Sequence, residues 1–195
     1  PGHIMDTTSV NVNITGGSNE FINLTGTEKG SILVRCTDPS GKGLAGAEFR
    51  VSRMNGDYIG NITTGADGTG TLGNLESGQY LIEQTIAPAG YVKVTQTMTA
   101  NVSAGKIAEV TFINRDKPFI TVETMVKGTR SPIEGSTVTL VNSAGQEIRR
   151  GYTDSNGQVT FENLEPGTYT AKYTACPDGY TIEVASQTVV VEVNK

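Results

Sequence analysis

The sequence predicts an all-β protein made of two tandem antiparallel sandwich domains, and two observations support this prediction. The 24 glycines, with frequent Thr and Val, separate short runs in which apolar and polar residues alternate, a pattern typical of strands and turns. Residues 74–91 also return as residues 163–180, each copy opening with Asn-Leu-Glu-x-Gly-x-Tyr and closing with Pro-x-Gly-Tyr. An internal repeat of this kind predicts two copies of one structural unit.

Residues 1–29 are expected to combine a cloning remnant with the closing β-hairpin of a preceding repeat. Residues 1–5, Pro-Gly-His-Ile-Met, have the composition of a remnant placed before a start methionine. Residues 13–29 align without a gap on residues 101–117, an offset of 88, which suggests a fragment of a longer tandem array. An isolated hairpin is marginally stable unless it docks, and it exposes open edges. The sequence leaves open whether the hairpin docks within its own chain or on another molecule. In the second case the chain would dimerise through it.

The first full repeat is expected at residues 30–116. Besides the repeated stretch, its strand-forming segments are residues 31–38, 44–51, 92–98 and 108–114. We expect a hairpin that turns at residues 66–68, Ala-Asp-Gly, because Asp-Gly supplies the positive φ angles of a tight loop. Within the repeated stretch, Tyr80 and Ile82 should face the core, and Gly78 should let the backbone reverse.

The second repeat, expected at residues 117–195, follows the same order. Residues 133–140 match residues 44–51, and residues 155–157 match residues 66–68, each at an offset of 89. The junction near residues 115–118 is short and contains no flexible tract. We therefore expect the two units to stack end to end with limited bending.

Composition excludes several classes of function. The net charge of −5 and the absence of Lys and Arg clusters argue against nucleic-acid binding. The only histidine is His3 and the two cysteines lack CxxC spacing, so we expect no metal site, no cofactor and no disulfide framework. No apolar run is long enough to insert into a membrane. Without an acid pair, a His-based triad or a metal set, the protein is not expected to be an enzyme.

Several motifs occur in a fixed order in the first repeat, and most return in the second. They are Leu-Ala-Gly-Ala-x-Phe at residues 44–49, Asn-Leu-x-x-Gly-x-Tyr at 74–80, Ala-Pro-x-Gly-Tyr at 87–91 and a last strand that closes on Asn114. This set resembles the B-type repeat of collagen adhesins and the prealbumin-like domains of Gram-positive pilins. The resemblance implies an immunoglobulin-like sandwich used as a stalk module in sortase-anchored proteins. It also implies an extracellular, cell-wall-anchored location, with the anchor outside this fragment.

The resemblance further directs attention to three cross-link positions. Domains of this family usually join a Lys on the first strand to an Asn on the last, with the help of a buried acid and with loss of ammonia. An apolar pocket favours this reaction because desolvation yields a neutral lysine nucleophile. In the first repeat the three positions hold Cys36, Gln84 and Asn114, so the lysine and the acid are both missing.

The corresponding positions of the second repeat hold Thr124, Tyr173 and, by a looser alignment, Asn194. Glu83 and Lys172 each lie one residue from the acid position, but neighbouring strand residues point to opposite faces, so both should face solvent. We therefore predict no Lys–Asn isopeptide bond in either repeat. For the first repeat, the sequence leaves open a small buried thiol or a Cys–Gln thioester formed by loss of ammonia.

Two functions are compatible with this sequence. The preferred one is a structural spacer whose partners are the neighbouring repeats of its own chain. The alternative is a binding module for a host matrix protein or carbohydrate, with Tyr58, Tyr91, Tyr152 and Tyr180 as candidate contacts. Because Tyr91 and Tyr180 recur in register, we expect them to pack at sandwich corners instead.

Residues 154–157, Asp-Ser-Asn-Gly, superficially resemble a calcium loop but lack its later Glu, so a turn is expected.

Overall fold

The structure is a computed structural model that describes residues 3–5 by their backbone, residues 16–17, and residues 25–192. The described residues contain strands, turns and irregular segments but no helix, and the all-β prediction is confirmed. Consequently, the described part offers no apolar helix of membrane-spanning length.

The chain divides into two compact units. Unit 1 contains the described residues up to Ala89 together with Lys93–Asn114, and unit 2 contains Gly90–Val92 together with the residues from Arg115 onward. Within unit 2, the amide of Lys117 donates to the carbonyl of Gly90 at 2.8 Å, and the amide of Val92 donates to the carbonyl of Arg115 at 2.8 Å. These bonds attach the short segment Gly90–Val92 to unit 2.

Unit 1 contains nine of the described strands. They are β1 (His3–Met5), β2 (Gly26–Glu28), β3 (Gly30–Thr37), β4 (Glu48–Arg53), β5 (Tyr58–Thr63), β6 (Thr69–Leu75), β7 (Gly78–Ile86), β8 (Met98–Val102) and β9 (Ile107–Ile113). One sheet has the order β6-β3-β9 and the other β5-β4-β7-β8. Alternate residues face inward, as predicted, and the phenyl rings of Phe49 and Phe112 meet between the sheets with their centroids 4.6 Å apart.

The hairpin predicted at residues 66–68 is wrong, because the strands on either side lie in different sheets. β5 pairs with β4, whereas β6 pairs with β3. The turn packs directly on β3, where the amide of Cys36 donates to the carbonyl of Gly68 at 2.8 Å. A Cβ at residue 68 would lie 2.5 Å from the carbonyl oxygen of Cys36, so this turn requires glycine for close packing as well as for its φ angle.

The prediction that all pairings are antiparallel is also wrong. β8 pairs with β7 in one sheet, whereas β9 crosses to the other sheet and lies parallel to β3 over seven residue pairs. Residues 101–117, the template for the predicted N-terminal hairpin, contain the end of β8 and all of β9, and they are therefore not a hairpin.

Most of residues 1–29, including most of the predicted hairpin, lie outside the described residues. Within this segment, β1 pairs antiparallel with β2. The residues of β1, which we expected to be a cloning remnant outside the fold, therefore form a strand.

Unit 2 has a four-stranded sheet and a two-stranded sheet among its described residues. Its strands are β10 (Ile120–Glu123), β11 (Thr137–Asn142), β12 (Glu147–Tyr152), β13 (Gln158–Phe161), β14 (Gly167–Ala175) and β15 (Ser186–Val191). The sheet orders are β12-β11-β14-β15 and β10-β13. The core between the sheets contains Ile120, Val138, Leu140, Phe161, Leu164, Tyr169 and Val191.

The repeated stretch owes its sequence to the same turn in both units. Asn74 and Asn163 adopt φ angles of 60° and 55°, a left-handed conformation that Asn tolerates better than most residues. The hydroxyl of Tyr80 donates to the carbonyl of Glu76 at 2.8 Å, and that of Tyr169 donates to the carbonyl of Glu165 at 2.8 Å. The left-handed asparagine, rather than the predicted glycine, is therefore the feature that both reversals share.

Candidate functional site

The predicted cross-link positions of unit 1 meet in the core between the two sheets. Cys36 lies near the end of β3, Gln84 lies on β7, and Asn114 directly follows β9. The amide of Asn114 donates to the carbonyl of Thr37 at 2.8 Å, which continues the parallel pairing of β9 with β3. All three side chains have no solvent-exposed surface.

Two side-chain amides form the centre of this site. The Nε2 group of Gln84 donates to Oδ1 of Asn114 at 3.0 Å, and the Nδ2 group of Asn114 donates to Oε1 of Gln84 at 2.9 Å. Oε1 also accepts the backbone amide of Val94 at 2.7 Å. A reciprocal pair of this kind satisfies buried polar groups that would otherwise destabilise the core.

The thiol of Cys36 completes the cluster. Its Sγ donates to Oδ1 of Asn114 at 3.1 Å, whereas Nε2 of Gln84 lies 3.9 Å from Sγ. Burial raises the pKa of the Cys36 thiol to about 11, because loss of contact with water disfavours the thiolate. At neutral pH the thiol is therefore protonated and serves as a weak donor.

The site of unit 2 is a cluster of hydroxyl groups. Oγ1 of Thr124 donates to the carbonyl of Ile133 at 2.9 Å and lies 3.1 Å from Oγ of Ser136. The same Ser136 hydroxyl lies 2.8 Å from the hydroxyl of Tyr173. Thr153 also donates to the carbonyl of Ile133, at 2.7 Å. Thr124 and Tyr173 are thus brought together, with Ser136 between them.

Asn194 lies outside the described residues. The register of the preceding strands nevertheless tests the predicted alignment of Asn194 with Asn114. Val189 of β15 lies opposite Tyr169, as Ala100 of β8 lies opposite Tyr80. β15 is therefore the counterpart of β8. In sequence, Asn194 follows this counterpart of β8, whereas Asn114 follows β9, so the register does not support aligning the two asparagines.

Sequence reasoning missed three contributors to these clusters. Ser136 stands where the first repeat has Ala47, a difference visible at the offset of 89 residues. Thr153 likewise matches Thr64, whose hydroxyl donates to the carbonyl of Leu44 at 2.7 Å. The Val94 amide gave no sequence signal, because it belongs to an irregular segment between β7 and β8.

The neighbouring charged residues have the orientation expected from strand alternation. Glu83 and Lys172 are exposed, so neither reaches its buried cluster.

The residues that resemble a calcium loop form a turn. Asp154 accepts hydrogen bonds from the backbone amides of Asn156 at 2.9 Å and Gln158 at 3.0 Å, which are the contacts of a turn. The hydrogen bond from the Gln158 amide is the main reason that the pKa of Asp154 is lowered.

The candidate aromatic contacts are dispersed. Tyr58 and Tyr152 expose 58% and 68% of their surface, one in each unit. Tyr91 is half-buried and forms an isolated β-bridge with Asp116. Tyr180 keeps 42% of its surface exposed, so the expectation that it packs like Tyr91 is wrong. The described residues therefore present no recurrent aromatic cluster.

One protein family matches both units. The family model of the SpaA prealbumin-like fold domain matches residues 30–116 and 120–195. Serine-aspartate repeat-containing protein D of Staphylococcus aureus strain Newman is 29% identical over 167 residues, or 74% of this chain and 12% of that protein. Serine-aspartate repeat-containing protein F of Staphylococcus epidermidis is 30% identical over 181 residues, or 80% of this chain and 10% of that protein. The chain thus spans only a small part of these relatives.

Solved structures show a similar fold at low sequence identity. The shaft pilin SpaA from Lactobacillus rhamnosus GG has a TM-score of 0.52 and 16% identity, with 85% of this chain and 94% of that chain covered. A streptococcal ancillary pilin has a TM-score of 0.52 and 15% identity, with 99% of this chain and 71% of that chain covered. These similarities concern the fold alone.

Proposed function

Because this chain belongs to the family of SpaA prealbumin-like fold domains, we propose that it forms structural spacer repeats of a Gram-positive cell-surface or pilus-like protein. The observation that carries the proposal is the match of this one family to two consecutive segments, residues 30–116 and 120–195. Tandem copies of a small sandwich lengthen a protein without requiring a new active site. In this proposal the protein is not an enzyme, its immediate partners are neighbouring repeats, and its anchor to the cell wall lies elsewhere in the full protein.

We further propose that neither domain contains a Lys–Asn isopeptide bond. The support in unit 1 is the chemistry of the buried cluster, where a thiol and a neutral amide occupy the positions of the lysine and the acid. A buried carboxylate without its lysine partner would cost several kcal/mol, so the paired replacement by Cys36 and Gln84 avoids an uncompensated charge. In unit 2, Thr124 and Tyr173 replace both charged groups with hydroxyls.

The thioester alternative for unit 1 has less support. Thioester formation requires the Cys36 thiolate to attack the side-chain carbonyl carbon of Gln84 and to expel ammonia. Burial raises the pKa of this thiol to about 11, and the thiolate is the nucleophilic form. The thiol instead donates to Asn114. We therefore propose a noncovalent network that stabilises the core.

Stretching the chain between two surfaces tests the absence of cross-links. Without an internal bond, unfolding the 85 residues from 30 to 114 releases a chain of roughly 300 Å, because an extended residue spans about 3.5 Å. A covalent link from β3 to residue 114 would prevent this release, since the force would bypass the enclosed residues. We expect one long extension for each unit, and an inextensible unit would contradict the absence of a cross-link in that unit.

A second candidate function is ligand binding, favoured by the exposure of Tyr58 and Tyr152. Arg50 lies over the ring of Tyr58, with its guanidinium carbon 5.8 Å from the ring centroid, so this ring is already partly engaged. A screen of the chain against extracellular matrix proteins and glycans separates the two functions. The spacer proposal predicts no saturable binding. Saturable binding that Tyr58→Ala or Tyr152→Ala abolishes would favour the second function.

A further inference from the structure

Two Asn-Gly pairs occur in the sequence, Asn55-Gly56 in unit 1 and Asn156-Gly157 in unit 2. In such a pair the backbone nitrogen of glycine attacks the side-chain carbonyl carbon of asparagine more readily than in other pairs, because glycine has no Cβ to hinder the approach. Each pair lies in a turn between two strands. The reactivity of each asparagine therefore depends on how freely its turn can open.

The turn that contains Asn55 is exposed. Residues 54–57 are all exposed, and no described residue beyond the chain neighbours of Gly56 lies within 4 Å of the place that a Cβ on Gly56 would take. The Gly56 amide donates to the carbonyl of Arg53 at 2.9 Å, and the Arg53 amide donates to the carbonyl of Asp57 at 2.8 Å. This turn can therefore open without disturbing the core.

The side chain of Asn55 is held beside the Gly56 amide. Its Oδ1 accepts the backbone amide of Asp57 at 3.1 Å, and its Nδ2 group donates to Oδ2 of Asp57 at 2.8 Å. Because Asp57 is the second residue after Asn55, both bonds fold the side chain over the intervening Gly56. The Asp57 amide also points at the oxygen on which negative charge develops during attack, and it would stabilise that charge.

The turn that contains Asn156 is fixed to the core. Gly157 is buried, and its carbonyl accepts the amide of Thr124 at 2.8 Å. A Cβ at residue 157 would lie 2.5 Å from the carbonyl oxygen of Thr124 and 3.0 Å from Cβ of Pro132. Attack on Asn156 requires the peptide unit before Gly157 to rotate, which would pull Gly157 away from β10. The folded chain therefore restrains this second pair.

We propose that Asn55 is a site of spontaneous deamidation in the folded chain, whereas Asn156 is protected. The nitrogen of Gly56 forms a bond to Cγ of Asn55 and loses its proton. The bond between Cγ and Nδ2 breaks, and the leaving nitrogen takes up a proton and departs as ammonia. Water then opens the resulting succinimide ring at either carbonyl carbon, which yields aspartate or isoaspartate at position 55. Water is the only other reactant.

Deamidation changes the charge of the turn between β4 and β5. A carboxylate replaces the Nδ2 donor that binds Asp57, so an attractive contact becomes a repulsion between like charges. The net charge of −5 becomes more negative by one. Since the stable product has exchanged ammonia for water, its mass differs from that of a chain with either internal cross-link. This inference does not depend on the proposed spacer function.

Peptide mass spectrometry of the full chain, incubated at mildly alkaline pH, follows both asparagines in one sample. In the folded chain we expect Asn55 to react at least about tenfold faster than Asn156, because the second reaction must break the bond between Thr124 and Gly157 and displace a packed glycine. In urea that unfolds both units, the two sites should react at similar rates, since each precedes glycine. No reaction at Asn55 in the folded chain, or equal rates at the two sites there, would overturn the proposal.

A substitution assigns the charge change to this one position. Asn55→Gln keeps a primary amide but requires a larger and less favourable ring, so the folded variant should lack the acidic species that ion-exchange chromatography separates from the unsubstituted chain. Asn61→Gln is the matched control, because Asn61 is also exposed but precedes isoleucine, and it should leave the acidic species unchanged. Formation of this species at the unsubstituted rate in Asn55→Gln would place the reaction elsewhere and refute the assignment.

Discussion

Replacing Gln84 by leucine removes the central partner of the buried cluster in unit 1. The change eliminates both hydrogen bonds of the amide pair, at 3.0 and 2.9 Å, and the acceptor of the Val94 amide at 2.7 Å. Two donors, the Nδ2 group of Asn114 and the amide of Val94, lose the acceptor that Gln84 provides. Each buried donor left without an acceptor costs about 1–3 kcal/mol. Because Val94 is only partly buried, we expect a loss of about 3 kcal/mol in the free energy of unfolding.

The thiol of Cys36 provides a local assay for this loss. Cys36 is fully buried, so alkylation of this residue, followed by peptide mass spectrometry, reports the unfolding of unit 1 in urea. Since small proteins lose roughly 1–3 kcal/mol of stability per M urea, a loss of about 3 kcal/mol should lower the midpoint by at least about 1 M. Gln79→Leu is the control, because Gln79 is exposed on the same strand. Equal midpoints for Gln84→Leu and Gln79→Leu would refute the role assigned to the amide pair.

Three further predictions concern individual side chains. Burial raises the pKa of Cys36 from 9.0 to about 11, so the unfolded thiol ionises first and stability should fall by roughly 2–3 kcal/mol between these pH values. Urea unfolding at pH 8 and pH 11 should show a smaller loss of stability for Cys36→Ala than for the unsubstituted chain. An equal loss of stability in both would contradict this prediction. Tyr80→Phe removes the hydrogen bond to the turn carbonyl and should lower the stability of unit 1 by about 1 kcal/mol, whereas the exposed Tyr58→Phe should not. Tyr173→Phe removes the contact with Ser136 and should destabilise unit 2 by about 1 kcal/mol in thermal unfolding, and a neutral effect would show that the contact contributes nothing.

The fold class could be predicted because its signals are local and occur twice. Alternation along β3, β4 and β7 identified the inward-facing residues, and the repeated stretch identified two copies of one unit. The pairing of strands could not be predicted in the same way. An Asp-Gly turn near residue 68 specifies a reversal of the chain, but whether the next strand joins the same sheet depends on contacts distant in sequence.

For the site, the sequence predicted which residues meet but not the hydrogen bonds between them. The resemblance placed Cys36, Gln84 and Asn114 together, and alternation correctly placed Glu83 in solvent. The hydrogen bonds within the cluster depend on side-chain orientation, which sequence spacing does not determine. Val94 lies outside the strands, so its amide could be assigned to Gln84 only from the structure.

The mass of the intact, denatured chain tests most directly the central claim that both domains are held together by noncovalent contacts alone. Formation of either a Lys–Asn isopeptide bond or a Cys–Gln thioester expels one molecule of ammonia. The absence of both bonds predicts the full mass of the amino-acid sequence, with Cys36 and Cys176 both reactive toward an alkylating reagent after denaturation. A mass lower by one ammonia, or by two, would contradict the claim, and peptide mapping of the modified residues would identify the cross-linked domain.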